Sequence, residues 1–126
     1  MVRSAEADGA IFNKAKMRAA DFTGARLPGA QFIGTKAPAG IFDNAVMDGA
    51  VLRSAKMFGA FFRSAQLPGA DFSEAGLWRV DFTDAKLDGA TFRNAYMKIA
   101  KIPGDLKGVS FCGATMPDGK SNFNAC

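Results

Sequence analysis

The stretch from Ala20 to Gly34 reads ADFTG ARLPG AQFIG, three five-residue units that begin with alanine, carry Phe or Leu in the middle and end in glycine. The same frame runs without insertion from Ala5 to Gly104, which makes twenty consecutive units. Only Thr35, Gly40 and Val80 replace the leading alanine. We call the third residue of each unit its centre.

A five-residue spacing argues against an α-helix, because about 100° per residue turns each centre roughly 140° past the previous one. The alanine and the centre are two residues apart, as inward-facing residues of an extended strand are. Glycine in the fifth position permits a positive φ, so the chain can turn after each short extended piece. Extended pieces that alternate with corners predict a solenoid.

The unit, with alanine first, a frequently polar residue second, Leu or Phe third and two variable positions after it, resembles the repeat of the pentapeptide-repeat proteins. The resemblance covers nearly the whole chain. It implies an all-β fold, a right-handed quadrilateral β-helix in which each unit forms one side and four units form a coil of twenty residues. We expect five to six coils.

This fold stacks the centres in four columns, one on each side of the coil. Two aliphatic columns then lie opposite each other, and so do two aromatic ones, which fills a narrow interior without a pore. The first side has Ala7, Leu27, Met47, Leu67 and Leu87; the second has Phe12, Phe32, Leu52, Phe72 and Phe92. The third has Met17, Ala37, Met57, Leu77 and Met97; the fourth has Phe22, Phe42, Phe62, Phe82 and Ile102.

The frame has two irregularities. Thr35, Ala37 and Gly40 weaken the pattern in the second coil, where we expect a dent or a bend. Farther on, Phe111 follows Ile102 after nine residues instead of ten. We therefore expect one solenoid over residues 1–126, with regular units at about 5–104, a frame slip at 103–108, and a last coil with a C-terminal cap at 109–126.

Cys112 and Cys126 both lie in the expected cap region. A cysteine just before Met-Pro-Asp-Gly, with a second at the chain end, is similar to caps of pentapeptide-repeat proteins from the cyanobacterial periplasm and the thylakoid lumen. The resemblance implies a disulfide, worth about 3 kcal/mol for a loop of this size, and an oxidising compartment. The alternative is two free thiols in a cytoplasmic protein. The N-terminal residues lack the apolar core of a signal peptide, so export requires that a leader was removed.

The chain offers little for catalysis. It has no histidine, which removes histidine general bases, nucleophile pairs and metal ligands, and two cysteines cannot complete a structural zinc site. Residues 114–121 come close to a phosphate-binding loop, but the first glycine is missing, Pro117 lacks an N–H and no helix is expected to follow. Asp81 and Asp84 are expected on a solvated face. We expect no enzyme, no cofactor and no metal site.

One surface stands out. The outward positions of the third side hold six basic residues and no acidic one, whereas the rest of the chain has ten basic and twelve acidic residues. Three of the six recur every twenty residues, which would stack them and focus positive potential. Aromatic side chains lie among them. The candidate binding face comprises Lys16, Arg18, Lys36, Lys56, Phe58, Trp78, Arg79, Tyr96 and Lys98.

The first hypothesis is a rigid scaffold that presents this face to a protein or another anionic partner; the alternative is a solvated basic face without a ligand. A second hypothesis comes from the resemblance, because quinolone-resistance (Qnr-type) members mimic DNA and bind type II topoisomerases. Mimicry of DNA requires an extended negative surface, and this chain carries a net charge of +4.

There is no strong nucleic-acid signal and no transmembrane segment. We expect the N-terminal end to be capped by residues 1–9 or to pair end to end in a homodimer.

Overall fold

The computed structural model describes residues 3–122 and residue 126. Each five-residue unit over residues 5–99 has the same local structure: its second residue forms a parallel bridge, its centre points inward and its fifth residue has a positive φ. A turn hydrogen bond closes each corner, as where the Ala25 N–H donates to the Phe22 carbonyl at 3.0 Å. The corner therefore depends on backbone geometry, and glycine is one of several residues that fill it.

The bridges join residues twenty positions apart. Lys16 pairs with Lys36 and Lys36 with Lys56 on the third side, and corresponding bridges run along the other three sides. Four units thus complete one coil and each coil lies directly over the previous one. This confirms the expected right-handed quadrilateral β-helix.

The interior is filled by the columns of centres. Within the second and fourth sides, stacked phenylalanine rings have centroids 4.8 to 5.4 Å apart and planes within 17° of parallel. Rings of these two opposite columns meet edge to face across the interior, at 5.4 to 5.8 Å. Every centre from Phe22 to Met97 is at most 1% exposed. The core is packed, as the column analysis predicted.

The small residues of the second coil are accommodated without a break in the ladder. The Ala37 N–H donates to Lys56 and the Ala39 N–H to Phe58, both at 2.9 Å. A Cβ at Gly40 would lie 3.0 Å from the Phe42 ring, so glycine gives that ring the space it uses. The buried Thr35 hydroxyl donates to the Phe12 carbonyl at 2.7 Å. The hydrogen bonds between coils therefore continue through the region where we expected a dent or a bend.

The register changes near the C-terminus. Asp81 pairs with Lys101, twenty residues away, but Thr91 pairs with Ser110, nineteen away. The coil is therefore one residue shorter in the segment around Pro103 and Gly104. An open cavity of about 230 Å³ lies at this step, lined by Asp84, Ala85, Lys86, Asp88, Pro103, Gly104 and Asp105.

A small hairpin follows the last coil. Strand β1 (Ala114–Thr115) and strand β2 (Ser121–Asn122) pair antiparallel. Nearby, a disulfide joins Cys112 to Cys126. At the other end, residues 5–9 form the first side of the first coil, where Ala7 and Gly9 donate to the second coil. The Ser4 N–H donates to the Thr23 carbonyl on the fourth side of the first coil, so residues 3 and 4 continue the ladder and do not form a separate cap. Residues 1–2, which belonged to the expected cap, lie outside the described residues.

Candidate basic and aromatic binding face

The third side brings the predicted basic residues together. Lys16, Lys36 and Lys56 occupy the bridging position of three successive coils, and their side chains are all exposed. Arg18, Arg79 and Lys98 are exposed on the same side. The structure thus places all six predicted cations on one surface. The stacking follows from the uninterrupted frame, which keeps each lysine in register with the next.

These six cations form no ion pair within residues 3–122. The three ion pairs in that range, Arg3–Asp21, Arg53–Asp71 and Arg63–Asp43, all lie on the second and fourth sides. An unpaired cation retains its full attraction for an approaching anion, and a row of them focuses the potential. The third side is therefore the surface best suited to bind a negative group.

The aromatic residues concentrate in the C-terminal half of this side. Phe58, Trp78 and Tyr96 are 43%, 38% and 43% exposed, and Ile99 is 50% exposed. Four of the six large apolar side chains found exposed in the described residues thus lie on this surface. The face has a basic half in coils one to three and an apolar half in coils three to five. The sequence analysis did not distinguish these two halves.

Gly76 shapes the apolar half. It takes the bridging position that lysine holds in the first three coils, and a Cβ there would lie 2.8 Å from the Phe58 ring. The absent side chain lets that ring lie against the backbone of the next coil. Beside it, the Arg79 guanidinium lies over the Trp78 ring, 5.2 Å from the centroid. This half of the third side therefore combines an aromatic ring that lies close to the backbone, Phe58, with a second ring, Trp78, that is covered by a guanidinium.

Ile99 is the strained member of this surface. Its φ is 64°, a conformation that β-branched side chains rarely adopt. None of the other residues with a positive φ at this corner position is β-branched; they are glycine, as in Gly59, or unbranched residues, as in Ala39. Sequence analysis missed Ile99; the signal was a large β-branched residue in the fifth position of its unit.

The opposite, first side is acidic. Asp8, Asp48 and Asp88 recur at the position after the centre, forty residues apart, with Pro28 and Pro68 between them. Glu6 and Asp105 belong to the same side, where the basic residues are Arg26, Lys86 and Lys107. The rod therefore carries a basic surface on one side and an acidic one opposite. The recurrence of aspartate every forty residues is the sequence signal for this acidic side, which the sequence analysis missed.

The basic side ends at an acidic residue. Asp118 follows Pro117, whose carbonyl accepts a hydrogen bond from the Ile99 N–H. The sixth coil thus places a carboxylate at the C-terminal end of the third side, which corrects the expectation of an acid-free surface there. The Asp118 carboxylate accepts a hydrogen bond from the Lys120 N–H.

The carboxylates of Asp81 and Asp84, which we expected on a solvated face, have different surroundings. Partial burial acts to raise the pKa of Asp81, but hydrogen bonds from the Thr83 hydroxyl and N–H outweigh it, and the pKa lies below its usual value. Asp84 lines the cavity at the register change. Among residues 3–122 and 126, no group of three or more acidic or cysteine side chains is placed to hold a metal ion.

The stretch that resembled a phosphate-binding loop is the C-terminal hairpin. Residues 114–121 supply β1, the turn and the start of β2, and no helix N-terminus faces the turn. Its backbone donors serve the hairpin, because the Met116 N–H donates to Lys120 and the Gly119 N–H to Met116. Within the described part of the chain, no helix is long and apolar enough to cross a bilayer.

The profile described as pentapeptide repeats matches in eight copies, over residues 3–36, 42–73 and 75–98. The structure is similar to that of a pentapeptide repeat protein from the thylakoid lumen of Arabidopsis thaliana, with 34% identity and a TM-score of 0.70 over 72% of this chain and 64% of that one. No curated protein matches the sequence.

Two further solved structures are similar at lower identity. QnrB1, a plasmid-mediated fluoroquinolone resistance protein, matches with 22% identity and a TM-score of 0.52, over 86% of this chain and 61% of that one. HetL, involved in heterocyst differentiation regulation in the cyanobacterium Nostoc sp. strain PCC 7120, matches with 25% identity and a TM-score of 0.44, over 95% and 65%. This chain spans less than two thirds of each of the three proteins.

Proposed function

The chain belongs to the pentapeptide repeat family, and from that premise we propose that it is a non-enzymatic rigid scaffold whose third side binds an anionic protein partner. The single observation that carries the proposal is the set of six exposed cations on one side, none of them ion-paired within residues 3–122. The β-helix holds them at fixed spacing, so little conformational freedom of the backbone is lost on binding.

The apolar half of the face defines the partner further. Phe58, Trp78 and Tyr96 offer exposed rings, and interfaces are enriched in aromatic residues and arginine. Lys36 lies two coils and Lys56 one coil before Trp78, at about 5 Å per coil. A partner segment with acidic residues followed by an apolar or aromatic residue would satisfy both halves. A simple polyanion would engage only the basic half.

Charge reversal tests the basic half. The variant Lys36→Glu/Lys56→Glu should elute from heparin at lower salt than the wild type, with a shallower dependence of retention on salt, because fewer cations contact the polyanion. The matched control, Arg26→Glu/Lys86→Glu, changes the net charge equally on the opposite side and should elute later than the test variant. Equal elution of the two variants would mean that net charge alone governs retention, and would reject the proposed face.

The aromatic half needs a separate measurement. Trp78 is the only tryptophan, so its fluorescence reports contact with this part of the face. A peptide that has acidic and phenylalanine residues should change the emission and bind more tightly than the same peptide with alanine in place of phenylalanine. Equal affinity for the two peptides would remove the aromatic half from the proposal.

The competing function is topoisomerase binding through DNA mimicry, the second hypothesis of the sequence analysis, which the resemblance to Qnr-type members implies. The likeness to QnrB1 concerns the fold alone. The acidic first side is interrupted by Arg26, Lys86 and Lys107, so it does not provide the continuous negative surface that such mimicry requires. A supercoiling assay with gyrase at micromolar protein tests this alternative: specific protection of the enzyme would favour it over the scaffold.

We also infer an oxidising compartment, the periplasm or the thylakoid lumen, rather than the cytoplasm. The Cys112–Cys126 disulfide supports this, since such bonds persist mainly outside reducing compartments. The similarity to a thylakoid lumen protein is compatible with it. Alkylation of the protein in extracts of its source, followed by mass measurement, should find both thiols protected; a fully alkylated pair would contradict the inference.

A further inference from the structure

The first side of the rod has a bare edge. Its fifth position is glycine in all six coils, with φ between 66° and 71°. Other corners reach a similar φ with side chains, as at Ser54 and Asn44, so the conformation alone does not require glycine. Packing within the chain does not require it either, because a Cβ added in any of the first five coils would meet no atom within 4 Å. The glycines are Gly9, Gly29, Gly49, Gly69, Gly89 and Gly108. A neighbouring surface can therefore approach the backbone closely along this edge.

The same side carries carboxylates without partners. Four of them are exposed and form no ion pair within residues 3–122: Glu6, Asp8, Asp48 and Asp88. On the second and fourth sides, by contrast, the carboxylates of Asp21, Asp43 and Asp71 are paired with arginine. The unpaired carboxylates of the first side and the unpaired cations of the third side are complementary in charge. Because the two sides face away from each other, they can meet only between copies of the chain.

We propose that the third side of one copy packs against the first side of the next, with the two rods parallel and coil facing coil. The inference rests on the proposed function in taking the third side as a binding surface, and it adds an occupant that competes with the anionic partner. Opposite sides of a coil run in opposite directions. At the contact, the second position of each third-side unit therefore faces the fourth position of a first-side unit. A displacement of the second copy by half a coil, about 2.4 Å along the rod axis, aligns the coils.

In this register three cations meet carboxylates of the second copy. The pairs, with the residue of the second copy given second, are Lys16–Asp8, Arg18–Glu6 and Lys56–Asp48. The apolar half of the third side also meets matching residues, in the pairs Phe58–Val46, Gly76–Pro68 and Tyr96–Asp88. The proline covers the place where the Phe58 ring lies over Gly76, and the tyrosine hydroxyl can donate to the aspartate. At the roughly 10 Å that separates packed sheets, these side chains can reach each other.

Other arrangements of the two sides fit less well. A twofold symmetric contact opposes the third side to itself or the first side to itself, and both repel. Antiparallel rods set Arg18 against Lys107 and Lys36 against Lys86 of the second copy. A slide of one coil reduces the three opposite-charge pairs to two in one direction and to one in the other. The charges therefore select parallel rods in register, in which Lys98 and Lys86 form the one repulsive pair among the facing positions of residues 5–99.

This contact does not close on itself. Each added copy presents a free third side or a free first side, so further copies join in the same way and form a row. Six coils of about 4.8 Å and a side about 15 Å wide bury roughly 900 Å² in total, which is small for a stable interface. We expect a dissociation constant of about 100 µM for each contact. Salt should weaken the association, since the paired charges are near the solvent.

Charge reversal on either side tests the contact. Sedimentation equilibrium of the wild type at low salt, from about 10 µM to 1 mM, should show an average mass that rises beyond that of a dimer. Lys16→Glu/Lys56→Glu and Asp8→Lys/Asp48→Lys should each weaken association about tenfold or more, because each turns two attractive pairs into repulsive ones. All four side chains are exposed, so circular dichroism should show an unchanged fold.

Complementary variants test the pairing itself. An equimolar mixture of the two double variants restores opposite charges between unlike molecules, and should associate to within about threefold of the wild type, as should the quadruple variant. Lys86→Glu tests the register, since it gives Lys98 an opposite charge and should tighten association about threefold. Lys107→Glu is the matched control, because it makes the same charge change on the same side opposite the uncharged Thr115, and it should have a smaller effect.

Heparin retention separates this inference from the proposed function. Asp8→Lys/Asp48→Lys should lose the association and still bind heparin through its third side, whereas Lys16→Glu/Lys56→Glu should lose the association and elute earlier than Arg26→Glu/Lys86→Glu. The inference fails if the wild type stays monomeric throughout, if the first-side variant associates as the wild type does, or if the mixture does not associate. With early elution of Lys16→Glu/Lys56→Glu from heparin, such a result rejects the self-association alone; without it, the proposed function is rejected as well.

Discussion

The phenylalanine column offers the sharpest test of how the core holds the rod together. Phe62 is fully buried, and its ring stacks between those of Phe42 at 4.8 Å and Phe82 at 5.2 Å. It also meets the Phe72 ring edge to face at 5.7 Å. Phe62→Ala removes all three ring contacts and leaves a void that the rigid ladder cannot close. We expect a loss of about 3 to 5 kcal/mol in the free energy of unfolding.

Phe58 supplies the control in the same coil. Its ring is 43% exposed and lies on the surface over Gly76, so Phe58→Ala should cost less than about 1 kcal/mol. Urea unfolding followed by circular dichroism measures both variants, with Trp78 fluorescence as a second probe, because non-coincident transitions would reveal separate unfolding of the two halves of the solenoid. If Phe62→Ala costs no more than Phe58→Ala, the stacked column does not support the fold as described.

Three further predictions concern single positions. Thr35→Ala should cost about 1 kcal/mol by urea unfolding, because it removes the buried hydrogen bond to the Phe12 carbonyl, which keeps its turn hydrogen bond. Ile99→Asn should raise the stability by about 0.5 to 1 kcal/mol, seen as a higher Tm, since asparagine tolerates a positive φ better and Ile99 is half exposed. The lowered pKa of Asp81 stabilises the fold above the ordinary carboxyl pKa and is lost as the pH falls through the folded-state pKa; Thr83→Val should therefore lower Tm at pH 7, and its difference from the wild type should shrink below about pH 4.

The sequence was sufficient to predict the columns, because a uniform frame lets a single geometric rule place every centre. It also predicted which cations share a side, since Lys16, Lys36 and Lys56 keep the same place in units that are one coil apart. A repeat of this kind makes long-range contacts a matter of counting, which is not possible for an irregular fold.

Other features depended on packing that counting does not reveal. The fit of the Phe42 ring beside Gly40, and of the Phe58 ring over Gly76, follows from side-chain rotation after the coils are stacked. The position of Asp118 on the basic side depends on the register after the chain shortens by one residue, together with the path of the hairpin turn. The sequence located the irregular steps but not how the structure accommodates them.

The most direct test of the central claim is a pull-down from an extract of the source organism with three immobilised proteins: the wild type, Lys36→Glu/Lys56→Glu, and Arg26→Glu/Lys86→Glu. We predict that the wild type and the first-side variant enrich the same acidic protein, and that the third-side variant does not. If the third-side variant retains that protein as well as the wild type does, the basic face is not the binding surface.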